Sequence, residues 1–248
     1  MTLLFLGIVA FIAGVMNAMA GGGSFLMFPA LVFTGMPSII ANASSTVGLH
    51  SGGFASTWAY RKNFRNFEGV PLIALLGVCL AGGTTGALLL LTTSQRAFDI
   101  VIPWLLLAAS LVFAFGPKIA PVLAQRVHIG PRIFLLLQFI VSIYGGYFGG
   151  AVGIVSMALW SLLGHNDIHE MNAAKALVVV TMNTAAVVCF IIADKVSWPE
   201  TIVMILGAIT GGYIGARVAR RIPGKYLRWM VIAISFGVTT AFFVRLSG

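Results

Sequence analysis

Few side chains in this chain can do chemistry, and those that can stand singly within apolar runs. His50, Lys175 and Asn183 interrupt otherwise apolar stretches, as do Ser24, Asn42, Ser45 and Asn172. Hydroxyls, amides, an ammonium and a protonated imidazole are all hydrogen-bond donors, the set that holds an anion. The six acidic residues, Glu68, Asp99, Asp167, Glu170, Asp194 and Glu200, lie in or beside polar connections. With no carboxylate deep in an apolar run, a carboxylate proton relay and a divalent-cation carrier are disfavoured. Covalent catalysis fares no better. His50 and Ser51 are adjacent, and neighbours on a helix point about 100° apart, so they cannot form a nucleophile–base couple. No GxSxG, HExxH or GxxxxGK(S/T) pattern is present, so neither an elbow serine, a zinc protease helix nor a nucleotide-phosphate loop is available. The chain is expected to bind and carry rather than catalyse, with no cofactor.

The elements that must position these groups are membrane helices. Of 248 residues, 59% are hydrophobic and 8% charged, against about 25% charged in soluble domains. The apolar runs are long and lack period-2 alternation, which predicts an all-α integral membrane protein, not a barrel. About eight hydrophobic segments are expected, at 3–20 with 24–35, 41–60, 69–92, 96–116, 132–149 with 153–164, 172–193, 199–217 and 226–246. The net charge of +9 fits Lys and Arg gathered in cytoplasmic loops and gives no reason to invoke nucleic acid. Residues 1–20 resemble a signal peptide but carry no Lys or Arg at the start, and the apolar run continues past Ala-Met-Ala; a retained first helix is expected. Cys79 and Cys189 read as small core residues, and the five tryptophans mostly as interfacial anchors near span ends.

Glycines divide the first run of each half. In MAGGGSFLMFP, residues 19–29, three consecutive glycines cost a helix about 2–3 kcal/mol relative to alanine, so the helix breaks there. With both broken runs counted as two, there are up to ten helical elements. The two halves repeat at an offset of 129–130: Gly23 with Gly153, Asn42-Ala43 with Asn172-Ala173, and Gly82, Gly83, Gly86 with Gly211, Gly212, Gly215. The latter glycines read as close-packing positions between helices. Residues 1–116 form a first transmembrane repeat, 117–131 a cytoplasmic linker and 132–248 a second repeat. If both broken runs turn back without crossing, twelve of the fifteen Lys and Arg lie inside, leaving only Arg96, Lys195 and Arg245 outside; this charge bias selects two inverted repeats over single crossings. Inverted repeats place a substrate site near the midplane. There the N-termini of the half-helices that start near Gly22, Gly23, Ser24 and Gly153 offer free N–H groups to an anion.

Each polar residue also has a structural reading. His50 could bond a backbone carbonyl, and Asn183 could bond across to another helix. Asn42 and Asn172, each at the expected start of a helix, are economical N-caps. Ser44, Ser45 and Thr46 either offer hydroxyls to a ligand or bond back to their own helix. Lys175 either snorkels to the headgroups or draws anions inward.

The run Ala-Gly-Gly-Gly-Ser-Phe-Leu-Met-Phe-Pro, then Thr-Gly-Met-Pro and Ala-Asn-Ala-Ser-Ser-Thr at 41–46, resembles the TauE/SafE sulfite-exporter family. The counterparts Gly-Gly-Tyr-Phe-Gly-Gly-Ala-Val-Gly at 145–153, His-Glu-Met-Asn-Ala-Ala-Lys-Ala at 169–176 and the Gly-Ala-Arg segment within 211–223 extend the resemblance across both halves. It implies a multi-pass permease of the bacterial inner membrane for sulfite, thiosulfate, sulfoacetate or other organosulfonates, without saying which. The expected partners are that small sulfur oxyanion and membrane lipid. Protons as coupling ion and a second copy of the chain remain open. One departure is Gly-Ile-Val at 153–155, where the first half has Gly-Ser-Phe; the second half lacks the serine hydroxyl, so the half-sites should bind differently.

Overall fold

A computed structural model describes residues 1–19, 22–60, 69–163, 168–218 and 224–247, with side chains at 18–19, 55–56, 58–60, 168–170, 172–173, 215–218, 224–228 and 247 left aside. Among the described residues there are ten helices: α1 (Thr2–Met19), α2 (Ser24–Phe33), α3 (Ser38–Tyr60), α4 (Leu72–Thr92), α5 (Gln95–Arg126), α6 (Pro131–Tyr147), α7 (Val152–Leu162), α8 (Ile168–Ile192), α9 (Trp198–Val218) and α10 (Gly224–Ser247). Four of them carry stretches long and apolar enough to cross a membrane, within Leu72–Thr92, Gln95–Arg126, Ala174–Ile192 and Trp229–Leu246.

Both predicted glycine breaks are present, and each turns the chain back. A Cβ on Gly23 would lie 2.8 Å from the Ala13 carbonyl oxygen and 3.0 Å from Asn17 Cβ. In an unbroken helix, ten residues would separate Gly23 from Ala13 by about 15 Å; here the two touch, so α2 returns alongside α1. The second turn runs through Phe148–Ala151, with Gly149 at φ +79° and Ala151 at φ +57°. A left-handed alanine costs about 1–2 kcal/mol and needs neighbours to hold it. The Tyr144 hydroxyl donates to the Gly150 carbonyl at 2.6 Å, and Asn42 Nδ2 donates to the Tyr147 carbonyl at 3.0 Å. The returning α7 ends where α6 began: the Ile129 N–H donates to the Leu162 carbonyl at 3.1 Å. With 10 and 11 residues, α2 and α7 are each about 15–17 Å long, half a hydrocarbon core.

The helices interlock crosswise. Contacts are most extensive between α1 and α9 and between α4 and α6, so the first helix of each half lies on the fourth of the other. Glycine permits the approach. A Cβ on Gly211 would collide with the Phe11 carbonyl, one on Gly14 with the Ala208 carbonyl, one on Gly86 with the Ile143 carbonyl, and one on Gly83 with the Met182 carbonyl. These are backbone-to-backbone contacts of the kind small residues allow between membrane helices, as expected for Gly82, Gly83, Gly86 and Gly211. Gly212 has only the Gly14 carbonyl, at 3.9 Å, and Gly215 lies outside the described side chains. Phe25, Phe28, Phe113, Phe148 and Phe242 fill one core, with edge contacts such as Phe25–Phe113 at 6.0 Å. Phe134, Trp160, Val178 and Met182 fill another.

Three local expectations change. Helix α3 starts at Ser38 and α8 at Ile168, so Asn42 and Asn172 sit inside helices and are not N-caps. The physical reason for Asn42 is that its amide serves the frayed end of α6 instead. The segment expected as a linker is helical to Arg126, through Pro117 and Pro121, on an exposed end of α5. Trp160 is no interfacial anchor: it is fully buried in α7, because α7 packs into the bundle rather than against lipid. Trp104, Trp198 and Trp229 are exposed, as anchors are, and Trp58 lies outside the described side chains. Cys79 is buried and Cys189 half-buried, both free.

Candidate functional site

The middle of α3 crosses the middle of α8. His50 Nε2 lies 3.2 Å from Thr184 Oγ1, a Cβ on Gly53 would meet Val180, and the Thr57 hydroxyl donates to the Ala176 carbonyl at 3.2 Å. The sequence numbers fall on one helix as they rise on the other, so the two run antiparallel. The half-helices start against this crossing. A Cβ on Gly23 would sit 2.9 Å from Leu49 Cδ2, and one on Gly153 would sit 3.0 Å from Lys175 Cδ and 3.6 Å from Val179 Cγ2. Leu49 and Val179 are repeat-equivalent positions, as are Gly23 and Gly153.

Neither half-helix has a side-chain cap at its N-terminus. The expected free N–H groups are largely engaged, because the turns themselves supply acceptors. Phe25 and Leu26 N–H donate to the Gly22 and Gly23 carbonyls at 3.2 and 3.1 Å, and Val152 and Ile154 N–H to the Gly149 and Ala151 carbonyls at 3.5 and 2.9 Å. Each start thus offers chiefly the partial positive charge of a helix end. On the crossing helices two polar atoms are buried without a hydrogen-bond partner, His50 Nδ1 on α3 and Asn183 Oδ1 on α8. Buried polar groups are nearly always paired, so these two atoms stand out on the crossing helices. Phe54 closes one side, its ring centroid 4.6 Å from that of His50.

The expected site residues divide into those brought together here and those used elsewhere. Gly23, Ser24 at the first position of α2, His50, Gly153 and Lys175 lie along the crossing, and Asn183 is the residue before Thr184 on α8. Ser24 and Lys175 are half-buried; the Lys175 stem lies along Gly153 and so covers the start of α7. Gly22 lies at the same turn, facing outward: its Cβ would strike Val231 of α10 at 2.5 Å. Asn42 is engaged with Tyr147, and the Ser45 hydroxyl bonds back to the Asn42 carbonyl at 3.0 Å. Thr46 bonds the same carbonyl at 2.8 Å, and Ser44 accepts the Ser197 N–H at 2.9 Å. Ser45 and Thr46 thus bond back to their own helix, while Ser44 accepts from the segment before α9. The Asn172 side chain lies outside the described residues.

Thr184 was not singled out from the sequence. Its signal is visible only once the crossing is known: about centres at Gly52 and Met182, residue 50 of α3 meets residue 184 of α8.

A bundle of apolar helices, two of whose hairpins return in helices of half a hydrocarbon core, defines a multi-pass membrane protein. Residues 6–242 match the family model described as sulfite exporter TauE/SafE. The chain belongs to that family and is a membrane transporter. A protein of Haemophilus influenzae named probable membrane transporter protein is 32% identical over 234 residues, spanning 93% of this chain and 90% of its own. The probable membrane transporter protein YfcA of Escherichia coli is 30% identical over 231 residues, spanning 92% and 84%. The probable membrane transporter protein ORF9 of a Sinorhizobium species is 27% identical over 238 residues, spanning 95% and 90%.

Proposed function

We propose that this chain is a secondary permease of the inner membrane for small sulfur-containing anions such as sulfite, thiosulfate, sulfoacetate or an organosulfonate. The anion sits near the midplane, and the two halves, as inverted repeats, expose it to each side in turn. The observation that carries this reading is the placement of two uncapped half-helix starts at repeat-equivalent points on the α3–α8 crossing, Gly23 on Leu49 and Gly153 on Lys175 and Val179. A half-helix that begins at mid-depth presents the positive end of its dipole where hydrocarbon offers no water, and an anion is the guest that end favours.

The Asn183 amide and the Ser24 hydroxyl add donors, and the Lys175 ammonium, whose stem lies along Gly153, draws anions along the approach past α7. Charge-assisted hydrogen bonds contribute about 1.5–3 kcal/mol each, so several offset the dehydration of a small anion without a deep arginine. The inverted arrangement fits the crosswise packing of α1 on α9 and α4 on α6, since a two-fold relation turns each of these pairs into the other. It places both chain ends outside and the loops at 61–68, 117–131 and 217–228 in the cytoplasm. A permease for a non-sulfur anion or metabolite is the alternative that the same geometry supports.

The test is flux. Purified protein in liposomes, given labelled sulfite, thiosulfate and a sulfonate in parallel with phosphate, acetate and lactate, is expected to move at least one sulfur anion well above protein-free vesicles. Movement of the non-sulfur anions alone selects the alternative, and movement of none of the six sinks both.

A further inference from the structure

The Thr184 hydroxyl has one proton and two neighbours that compete for it. Its oxygen lies 2.8 Å from the Val180 carbonyl and 3.2 Å from His50 Nε2. The carbonyl can only accept, and the shorter bond, made one turn back on the same helix, takes the proton. The lone pairs of Thr184 then face Nε2, which must carry a hydrogen to donate. A neutral imidazole has a single N–H, so Nδ1 is left as a bare lone pair. That atom is buried and unpartnered, in a residue only 7% exposed.

A lone pair repels an anion; the same nitrogen protonated is a charged donor. Resting on the anion-permease reading, we propose that His50 Nδ1 takes up one proton together with each transported anion, and that Thr184 is the positioning residue that fixes which nitrogen does so. A proton from solution joins the Nδ1 lone pair as the anion enters, and both leave on the opposite side. The Nε2–H bond to Thr184 stays made throughout, and no other covalent bond changes. For a monoanion the pair that moves is neutral, so transport follows the pH gradient and not the membrane potential.

Other titratable groups near α3 stand away from this pair. Neither α1 nor α2 carries a titratable side chain. On α8, Cys189 and Lys175 lie five and nine residues from Thr184, about 7 and 14 Å along the axis. On α9, Glu200 accepts the Ser197 hydroxyl at 2.5 Å, near the helix start, and Tyr213 is exposed toward the other end. On α5, Asp99 accepts the Ser38 hydroxyl, and Arg96, Lys118 and Arg126 are exposed.

Two measurements test the proposal. In ¹⁵N-histidine spectra of the protein in nanodiscs, with His50→Gln used to assign the signal, His50 is expected at about pH 8 with Nε2 protonated and Nδ1 bare. Adding sulfite or ethanesulfonate near pH 6.5 is expected to raise the doubly protonated fraction. Thr184→Val should shift the tautomer ratio about fivefold, the size of one net hydrogen bond, and Thr184→Ser should restore it. In liposomes, ethanesulfonate, ionised throughout this range, should accumulate on the alkaline side by about tenfold per unit of pH gradient, the equilibrium for one proton per monoanion. An imposed potential should add nothing, and His50→Gln should abolish the pH-driven accumulation. A wild-type signal with Nδ1 protonated and Nε2 bare, an unchanged ratio in Thr184→Val, or accumulation driven by potential without a pH gradient would each overturn the proposal. If the wild type moves no sulfur anion, the substrate reading fails on its own, and the spectra decide the nitrogen assignment separately.

Discussion

Gly23 is the point at which one methyl group should cost this protein most of its activity. Its Cβ would stand 2.8 Å from the Ala13 carbonyl oxygen, 2.9 Å from Leu49 Cδ2 and 3.0 Å from Asn17 Cβ. The Leu49 methyl can rotate away, whereas the Ala13 carbonyl is fixed inside α1. Ordinary contacts begin at 3.4 Å, so Gly23→Ala pushes the start of α2 away by roughly 0.6 Å, the difference 3.4 − 2.8. Overpacking of that size costs about 1–3 kcal/mol. At about 2–4 °C per kcal/mol for a chain of this length, Tm should fall by about 2–12 °C. Anion flux should fall further than stability does, to about one-tenth or less at a temperature where the variant is folded, because the α2 N–H groups shift relative to His50. Thermal unfolding in detergent and flux in liposomes read the two effects separately. The control is Gly77→Ala in α4, where nothing lies within 4 Å of the added Cβ; helix propensity alone should hold or raise its stability by about 0.5–1 kcal/mol. If Gly23→Ala matches Gly77→Ala in both melting and flux, the tight hairpin is not what shapes the site.

Asn42→Ala leaves the Tyr147 carbonyl without its donor, which should cost about 1–3 kcal/mol; thermal melting checks it, with unchanged Tm as the contrary result. Asn183→Ala should weaken binding of a transported sulfur anion about five- to tenfold by calorimetry; wild-type affinity would make Asn183 a packing residue. With Cys79 and Cys189 replaced, Arg220→Cys should react with an impermeant thiol reagent only from the cytoplasmic side, and labelling from the periplasm would restore single crossings.

Composition and the glycine runs make the helical class and both hairpins legible in the sequence, because glycine's low helix propensity is a local property; the left-handed turn at Gly149 and Ala151 is where the second chain reversal uses it. Helix starts were misjudged by three to four residues at α3 and α8. At α3 the added residues are Ser38, Ile39 and Ile40, following Pro37, and tertiary bonds help to decide the boundary. Ser38 donates to Asp99 and accepts from Gln95 at 2.5 Å, a partnership across helices that no window on the sequence displays. The site was legible in its types but not its pairs. His50 was singled out, while Thr184, which contacts it, was not, because threonine is common in membrane helices and bonds back to its own turn. Only the packing tells which threonine has a second neighbour.

The two helix starts differ in backbone, with Gly23 right-handed before α2 and Ala151 left-handed before α7, and they differ in side chain through what each repeat-equivalent glycine touches. Gly23 rests on Leu49 and is followed by Ser24; Gly153 rests on the Lys175 stem and is followed by Ile154. The position equivalent to Lys175 in the first half is Ser45, whose hydroxyl is turned back onto Asn42. One half therefore has a hydroxyl at its helix start and an apolar cover, and the other an apolar start with an ammonium stem across it. Repetition in the sequence yields two returning half-helices that start against the same helix crossing. Divergence of three side chains, Ser24, Ile154 and Lys175, is enough to make the approaches to them chemically distinct, with a cation on one approach and only hydroxyl and methyl groups on the other.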